Sequence, residues 1–405
     1  METLDGIVES TAAYESWLGG QIPLWQDDLE HKHAVMASEP FAFLRATFYR
    51  WSQRFARVCP SEAAAPAMLV VGDLHLENFG TWRDTEGRLV WGVNDFDEVA
   101  TMPFTIDLVR LATSARLALK SGNIDLTTRV ACDAIIDGYI EGMRAAGRPL
   151  VLAEDDRWLR RIATSKLRDP VEFWDGLSKL AALNVPLRRP LRQFLVRALP
   201  ASMTDYQLLR RRAGVGSLGR ERVVALGTWH GSDVAREVKA SAASAWGWAT
   251  GGDPAPGVGD RLLKGAVRCP DPYYQPRAGA VVRRLGPDCS RVLLSDMPDQ
   301  RDDARLLRAM GWETANIHLS NPGAADLVRG DLEHRPNDWL EDAARRMARA
   351  TLRDWKDWRD AYRKRPEARQ ELAAARRQLL TETTRSDAAA DPELAAEEWP
   401  EAGPG

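Results

Sequence analysis

Residues 72–80 read Gly-Asp-Leu-His-Leu-Glu-Asn-Phe-Gly, and residues 94–98 read Asn-Asp-Phe-Asp-Glu. Each acidic stretch follows a short apolar run, at 68–71 and at 88–93. Between them, the Asp-Thr-Glu-Gly sequence at 84–87 is typical of a turn, so we expect the two runs to be neighbouring strands of one hairpin. Carboxylates at the ends of neighbouring strands can converge on one ion. The sequence therefore predicts that the two acidic stretches form one site.

The spacing within these stretches is typical of a phosphoryl-transfer site. Asn78 lies five positions after Asp73, and an Asp-Phe pair begins at Asp95, which is the order of the catalytic and metal loops of kinases. In that chemistry Asp73 accepts the proton of the substrate hydroxyl, while Asn78 and Asp95 hold the magnesium ions that neutralise the phosphate chain. Two simpler interpretations stay open: Asp73 as the cap of a turn, and Asp97 as a surface acid instead of a further magnesium ligand.

A glycine-rich segment further along the chain predicts a phosphate-covering loop. Gly214, Gly216, Ser217 and Gly219 lie in a G-x-G-x-x-G pattern, and two β-like runs follow, the second of which carries Lys239. Glycine is needed where the backbone approaches phosphate oxygens closely, and the lysine of such a hairpin binds phosphate. The same pattern in a dinucleotide site requires a strand before it and a helix after it. We expect an Arg-rich helix before it and strands after it, which excludes that interpretation, although a plain tight turn and a solvated lysine stay open.

The order of these parts is unusual for a kinase. The glycine loop and the lysine ordinarily precede the catalytic loop, yet here residues 73–78 come before residues 214–219. A permuted order is physically acceptable because two lobes that meet at a cleft need to be adjacent in space and not in sequence. We therefore expect an α+β fold with two lobes: a mostly helical large lobe, and a small β-rich lobe inserted after it.

Composition shifts along the chain predict five segments. They are an N-terminal helical segment at 1–65, the large lobe with the catalytic and metal loops at 66–212, a small β-rich nucleotide lobe at 213–297, a helical return to the large lobe at 298–380, and a disordered acidic tail at 381–405. The tail is rich in Ala, Glu, Pro and Gly and lacks apolar periodicity.

Overall composition excludes several classes of partner. The net charge is −3, with 28% charged residues, so there is no general electrostatic reason to expect nucleic acid or an anionic membrane as a partner. No apolar run approaches the ~18 residues of a membrane-spanning helix, and the N-terminus lacks a signal peptide pattern. The four cysteines follow no C-x-x-C spacing and are typical of a reducing compartment. We expect a cytoplasmic protein.

Taken together, these motifs resemble a known bacterial family, domain of unknown function 2252, which is regarded as related to the protein-kinase-like and aminoglycoside-phosphotransferase folds. The resemblance spans roughly residues 38–360, and beyond the motifs above it is carried by stretches at 38–45, 107–112, 238–239, 282–285 and, more weakly, 311–318. It implies a permuted kinase-like fold with ATP and Mg²⁺ as cofactors. In kinase-like folds the aspartate that matches Asp107 braces the catalytic loop, whereas the simplest interpretation of Asp107 is an acid in the first turn of a helix.

One departure concerns the partner of the lysine. A kinase needs a helix glutamate to pair with the strand lysine, but no glutamate lies between Glu237 and Glu313. Lys239 is therefore expected to be oriented by an aspartate such as Asp271 or Asp288, or the site binds nucleotide without efficient transfer.

The leading hypothesis is an ATP- and Mg²⁺-dependent phosphotransferase that acts on an unknown hydroxyl acceptor, either a small molecule or a protein. The alternatives are a catalytically weak nucleotide-binding regulator and an enzyme that transfers AMP from a flipped nucleotide. A metallophosphoesterase is a distant alternative, because Asp73-x-His75 and Asn94-Asp95 superficially resemble dinuclear metal motifs. That class needs several further histidines, and the chain has six in total.

Overall fold

The structure is a computed structural model that describes residues 4–120, 126–152, 156–164, 169–252, 258–277, 279–289, 302–368 and 370–375. The chain folds as a mixture of helices and strands, 54% helical and 16% strand, which confirms the predicted α+β class. The predicted disordered tail at 381–405 lies outside the described residues. None of the described helices is both long enough and apolar enough to cross a membrane.

The N-terminal part of the chain is helical and forms one wall of the cleft described below. Its helices are α1 (Ile7–Gly19), α2 (Gln26–Ser38), α3 (Pro40–Ala46), α4 (Phe48–Val58) and α5 (Pro60–Ala63). Pro40 suits the first turn of α3 because its φ is already helical and its missing N–H is not needed there. Tyr14 and Tyr49 stack with 4.4 Å between their ring centroids, which joins α1 to α4.

The acidic loops lie between short strands and two long helices. These elements are β1 (Ala67–Val70), β2 (Phe79–Arg83), β3 (Leu89–Val93), β4 (Ala100–Pro103), α6 (Thr105–Lys120), α7 (Thr128–Arg144) and β5 (Leu150–Val151). The prediction that residues 68–71 and 88–93 pair as one hairpin is wrong. β1 pairs with β4, whereas β3 pairs with β2 and β5. The turn at 84–87 joins β2 to β3, because β2 begins directly after Asn78 and ends just before the turn. The apolar run at 68–71 is therefore not the strand that precedes this turn.

A second sheet carries the glycine turn and Lys239. Three helices precede it, α8 (Arg157–Thr164), α9 (Pro170–Ser178) and α10 (Arg189–Ala198), and the sheet region contains β6 (Gln207–Arg210), β7 (Arg222–Trp229), β8 (Ser232–Ala240), α11 (Ala245–Thr250), α12 (Val258–Gly265), β9 (Gln275–Arg277) and β10 (Ala280–Leu285). The strands are antiparallel in the order β6-β7-β8-β10-β9. The predicted Arg-rich helix directly before the glycine turn is wrong, because β6 occupies that place, where Leu209 is buried and pairs with Val224.

The chain returns to the helical part through α13 (Asp303–His318), α14 (Ala324–Leu332) and α15 (Trp339–Tyr362). Helices α7 and α13 approach very closely at two glycines. An added Cβ on Gly138 would lie 1.9 Å from the Arg308 carbonyl oxygen, and one on Gly311 would lie 2.0 Å from the Ile135 carbonyl oxygen. This packing holds α13 beside β1 and α6, so that His318 in its last turn contacts Asp107 on α6.

Candidate functional site

The two acidic loops, the glycine turn and the N-terminal helices enclose a cleft of about 610 Å³, a volume that includes its part open to solvent. Seven of the residues predicted from the sequence line it: Asp73, Asn78, Asp95, Asp97, Gly214, Gly216 and Ser217. Segments separated by more than a hundred residues in sequence therefore meet in one place. Lys239 contacts the lining residues Asp95 and Asp97, whereas Gly219 is not part of the wall.

Asp73 is held by a fully buried arginine on α6. Arg110 Nε donates to Asp73 Oδ1 at 2.7 Å, and its Nη2 donates to the Leu44 carbonyl oxygen at 2.7 Å. The guanidinium lies over the rings of Phe48 and Trp51. Burial raises the pKa of the Asp73 carboxyl above its ordinary value, although Arg110 opposes that shift. A carboxylate that is fixed in orientation and has a raised pKa is suited to accept a proton.

The backbone before Asp73 is braced by buried polar groups from three helices. Asp107 on α6 accepts hydrogen bonds from the backbone N–H groups of Val71 at 2.9 Å and Gly72 at 2.7 Å. Its Oδ2 also lies 3.0 Å from His318 Nε2 on α13, and His318 Nδ1 lies 2.8 Å from the Tyr139 hydroxyl on α7. The bracing role that the family resemblance implies for Asp107 agrees with this geometry. The role of Asp107 as an acid in the first turn of α6 holds as well.

Asn78 connects the two acidic loops. Its side-chain Nδ2 donates to the Asp73 carbonyl oxygen, and its own carbonyl oxygen accepts a hydrogen bond from Asn94 N at 2.9 Å. The amide nitrogen is thus engaged inside the loop. The amide oxygen is the atom of Asn78 that is chemically suited to a cation.

Lys239 pairs with the acidic loop that follows β3. Its Nζ forms an ion pair with Asp97 Oδ2 and lies 3.7 Å from Asp95 Oδ1. The side chain is buried at the end of β8, so this pair crosses from the sheet to the loop after β3. Asp97 is therefore not a plain surface acid.

The predicted alternative partners of Lys239 are wrong. Asp271 accepts a hydrogen bond from the backbone N–H of Tyr273 at 2.9 Å, two residues further along its own turn. Asp288 lies beyond β10 and accepts a hydrogen bond from Arg83 Nε at 2.6 Å. Both carboxylates are thus engaged by other groups, whereas the acidic loop faces the end of β8.

The candidate magnesium ligands fit that ion by their chemistry. Asn78, Asp95 and Asp97 supply two carboxylates and one amide oxygen, and Mg²⁺ binds such a small oxygen set when phosphates and water complete its shell. Asp97 Oδ1 is buried without a hydrogen-bond partner within the described residues. No group of three His, Cys, Asp or Glu side chains in the described part of the chain forms a metal site by itself.

The glycine turn approaches the loop that carries Asp73 closely. Gly214 has a φ of 74°, which favours glycine. An added Cβ on Gly216 would lie 3.0 Å from the Arg45 carbonyl oxygen and 3.5 Å from Asp73 Oδ2. Gly219 has a different neighbour, because its added Cβ would lie 2.4 Å from a methyl group of Leu29 on α2. Gly216 faces the site, and Gly219 allows close packing of the turn against α2.

Sequence reasoning missed three charged residues that line the cleft. Lys32 on α2 donates to the Gly216 carbonyl oxygen at 3.4 Å, and Arg220 Nη2 lies 3.4 Å from Glu98 Oε1. Burial raises the pKa of Glu98 to about 7, even though Arg220 opposes the shift. One sequence signal for Lys32 existed, because it lies among Leu29, Val35 and Met36 on the buried face of α2. A charge inside an apolar face requires a partner or a ligand.

The face of the second sheet that carries Lys239 is charged. Glu237 lies two residues earlier on β8 and accepts hydrogen bonds from Arg222 at 2.9 Å, Arg283 at 2.7 Å and Arg211. Although burial opposes it, these guanidinium groups hold the pKa of Glu237 well below its usual range. Arg222 Nη2 also donates to Ser217 Oγ, which ties the cluster to the glycine turn.

Comparison with known families identifies relatives of the chain. A family model described as an uncharacterized protein conserved in bacteria (DUF2252) matches residues 25–171 and 192–361. The chain belongs to this family. Every candidate residue from Lys32 to Lys239 lies inside the segments that match DUF2252, and so does His318. No curated protein and no solved structure was found to match the chain.

Proposed function

We propose that this DUF2252 protein is an ATP- and Mg²⁺-dependent phosphotransferase with a permuted kinase-like arrangement, acting on a hydroxyl group of a small molecule or protein. The observation that carries the proposal is the meeting of two incomplete motifs. The glycine turn lies against Asp73, and Lys239 lies against Asp95 and Asp97, although the motifs are far apart in sequence. Each motif alone lacks either phosphate-binding groups or a base and metal ligands.

Strand order supports the same proposal. The glycine turn joins β6 to β7, which are the first two strands of the second sheet, and Lys239 lies on β8, the third. Protein kinases likewise place the lysine on the third strand after a glycine-rich loop. A dinucleotide site would require a helix after the turn, and β7 follows it.

The proposed roles divide between the two loops. Asp73 takes the proton of the acceptor hydroxyl as the hydroxyl oxygen attacks the terminal phosphorus, and the bond from that phosphorus to the leaving ADP oxygen breaks. Asn78, Asp95 and Asp97 would hold Mg²⁺, which neutralises the charge on the phosphates. Lys239 now neutralises Asp95 and Asp97. With a metal-bound nucleotide in place, its ammonium group is proposed to turn to the phosphates.

One observation favours the transfer of AMP as a second candidate. The charged cluster around Glu237 occupies the sheet face next to Lys239, where an apolar slot for the base would be needed. The opposite wall of the cleft contains Tyr14, Phe48 and Tyr49. A nucleotide that is flipped toward these aromatic rings would present its α-phosphate, and not its γ-phosphate, to Asp73.

Calorimetry of ATP binding tests the proposal. We expect the wild-type protein to bind ATP with Mg²⁺ present and to lose this binding with EDTA, because the phosphates approach Asp95 and Asp97 only when a cation neutralises both sides. Asp95→Asn should weaken Mg-ATP binding. Asp175→Asn is the matched control, because Asp175 is an exposed acid paired with Lys179 on α9. Equal ATP affinity with EDTA present would refute the metal role.

The products distinguish the candidates. Formation of ADP with an acceptor extract supports phosphate transfer, whereas formation of pyrophosphate supports AMP transfer. A protein that binds Mg-ATP and does not consume it with any acceptor fraction would favour the nucleotide-binding regulator.

A further inference from the structure

Lys32 differs from the other cations on the cleft wall in its partners. Arg45 pairs with Glu77 at 2.6 Å, and Arg220 lies within 3.4–3.6 Å of Glu98 and Asp97. Within the described residues Lys32 forms no ion pair, and its one hydrogen bond is the 3.4 Å contact to the Gly216 carbonyl oxygen. Its side chain is nonetheless only 2% exposed.

A buried ammonium group with three N–H donors and one long hydrogen bond is unfavourable unless an anion joins it. Burial, with a smaller contribution from the Arg220 charge, lowers the pKa of Lys32 to about 8, while Glu15, Glu98 and Asp73 act in the opposite direction. Lys32 is therefore still mainly protonated at pH 7. The structure thus keeps a positive charge in the cleft that forms no direct ion pair with any carboxylate of the described residues.

A second donor faces the same space. Arg220 is 3% exposed, lines the cleft and contacts the Tyr14 side chain. Its Nη1 lies 3.6 Å from Asp97 Oδ2, and its Nε has no hydrogen-bond partner among the described residues. Gly216 lies between Lys32 and Asp73, since its carbonyl oxygen contacts Lys32 Nζ and its Cα side faces Asp73 Oδ2. Two buried cations thus converge beside the proposed base.

We propose that Lys32, together with Arg220, binds the terminal phosphate of the nucleotide next to Asp73. The inference rests on the proposed phosphotransferase function and adds a binding group from α2, outside the kinase-like motifs. A single tetrahedral phosphate offers oxygens to both cations at once, and charge-assisted hydrogen bonds to phosphate are the strong ones. Lys32 would therefore distinguish a nucleoside triphosphate from a diphosphate.

The test compares Mg-ATP and Mg-ADP affinities in wild type and Lys32→Met by calorimetry. Lys32→Met should lower the affinity for ATP by about tenfold, the effect of one charge-assisted hydrogen bond, and leave the affinity for ADP within about twofold. Lys32→Arg should keep most of the difference in affinity between Mg-ATP and Mg-ADP that the wild type shows. Lys264→Met is the control, because Lys264 is an exposed helix lysine paired with Asp260.

Each other outcome overturns the inference in a recognisable way. Equal losses for ATP and ADP would show that Lys32 only supports the Gly216 turn, and no loss for either would place it outside the binding site. If wild type binds no Mg-nucleotide, the proposed function itself fails, which separates that result from a failure of Lys32 alone. Thermal unfolding of each variant establishes that it is folded; if Lys32→Met is not, Lys32→Gln replaces it in the same comparison.

Discussion

The loop that carries Asp73 and the turn that carries Gly216 face each other across the cleft, but they are held in different ways. The loop is fixed by the Asp107 carboxylate, which accepts two backbone N–H groups at 2.9 and 2.7 Å and is itself held by His318. The turn is held by bonds within itself, such as Leu218 N to the Val215 carbonyl oxygen at 3.4 Å, and by the 3.4 Å contact from Lys32. Two further donors reach it from outside: Arg222 donates to Ser217 Oγ, and Trp25 N donates to the Gly219 carbonyl oxygen at 2.8 Å.

This difference fits the work proposed for each part. A base and its metal ligands must keep their positions, and charge-assisted hydrogen bonds in a buried setting achieve this. A loop that covers phosphates must open to admit and release nucleotide. We therefore propose that the loop that carries Asp73 acts as a fixed platform and that the glycine turn acts as a cover that opens and closes.

The largest expected effect is on the turnover rate, and it comes from a substitution of Asp73 in the loop that Asp107 holds. Asp73→Asn removes the proton acceptor but keeps an oxygen that Arg110 can still contact, so turnover should fall by about 10²–10⁴-fold while Mg-ATP binding changes little. Rates of ATP consumption and calorimetric affinities measured on the same preparation test this. Loss of binding equal to that of Asp95→Asn would mean that Asp73 is a metal ligand.

The next largest effect is expected on the stability that Asp107 contributes by holding the backbone before Asp73. Asp107→Ala leaves the N–H groups of Val71 and Gly72 and the ring of His318 without their buried acceptor, which should cost about 3–5 kcal/mol of unfolding free energy. Ser217→Ala removes the hydroxyl that accepts from Arg222 and should cost about 1 kcal/mol. Urea denaturation of both variants gives the comparison directly.

Similar losses of unfolding free energy for Asp107→Ala and Ser217→Ala would contradict the proposal that the loop is held more firmly than the glycine turn. Asp107→Asn is the matched variant, since its remaining oxygen still accepts one backbone N–H. Its loss should lie between that of Ser217→Ala and that of Asp107→Ala.

The sequence predicted what short spacings control. Asp73, Asn78 and Asp95 lie within one short stretch, so their convergence follows from local structure, even though the predicted hairpin joined the wrong strands. The α+β class and the family also followed from the sequence, and both are confirmed. The roles of the site residues stay predictions.

Contacts between segments that are far apart in the sequence could not be predicted from it. His318 meets Asp107 across 211 positions, and Lys239 meets Asp97 across 142. A helical or alternating pattern shows which face a residue occupies but not which element covers that face. Lys32 was missed for the same reason: the apolar face of α2 predicts burial, but only the packed fold places Gly216 against it.

The smallest expected effect is a change of ATP affinity with pH, which arises from Lys32 beside the glycine turn. Burial lowers the pKa of Lys32 to about 8 in the folded protein, below its ordinary value of 10.5. As pH rises from 8 to 9, Lys32 loses its proton in the free protein, so ATP affinity should fall by up to about tenfold until the pKa of the complex is reached. ADP affinity, and ATP affinity in Lys32→Arg, should stay nearly constant over this interval.

The contribution of Lys32 to stability changes in the opposite direction, so the titration of Lys32 does not weaken ATP binding through unfolding. Between pH 8 and 10.5 the unfolded chain binds more protons at Lys32 than the folded protein does, so this group adds to stability as pH rises, by about 3 kcal/mol over the whole interval. Calorimetry and urea denaturation at pH 7, 8 and 9 measure both quantities. A parallel decline of ATP and ADP affinity would show that Lys32 does not contact the terminal phosphate, and the cover would then act through its backbone alone.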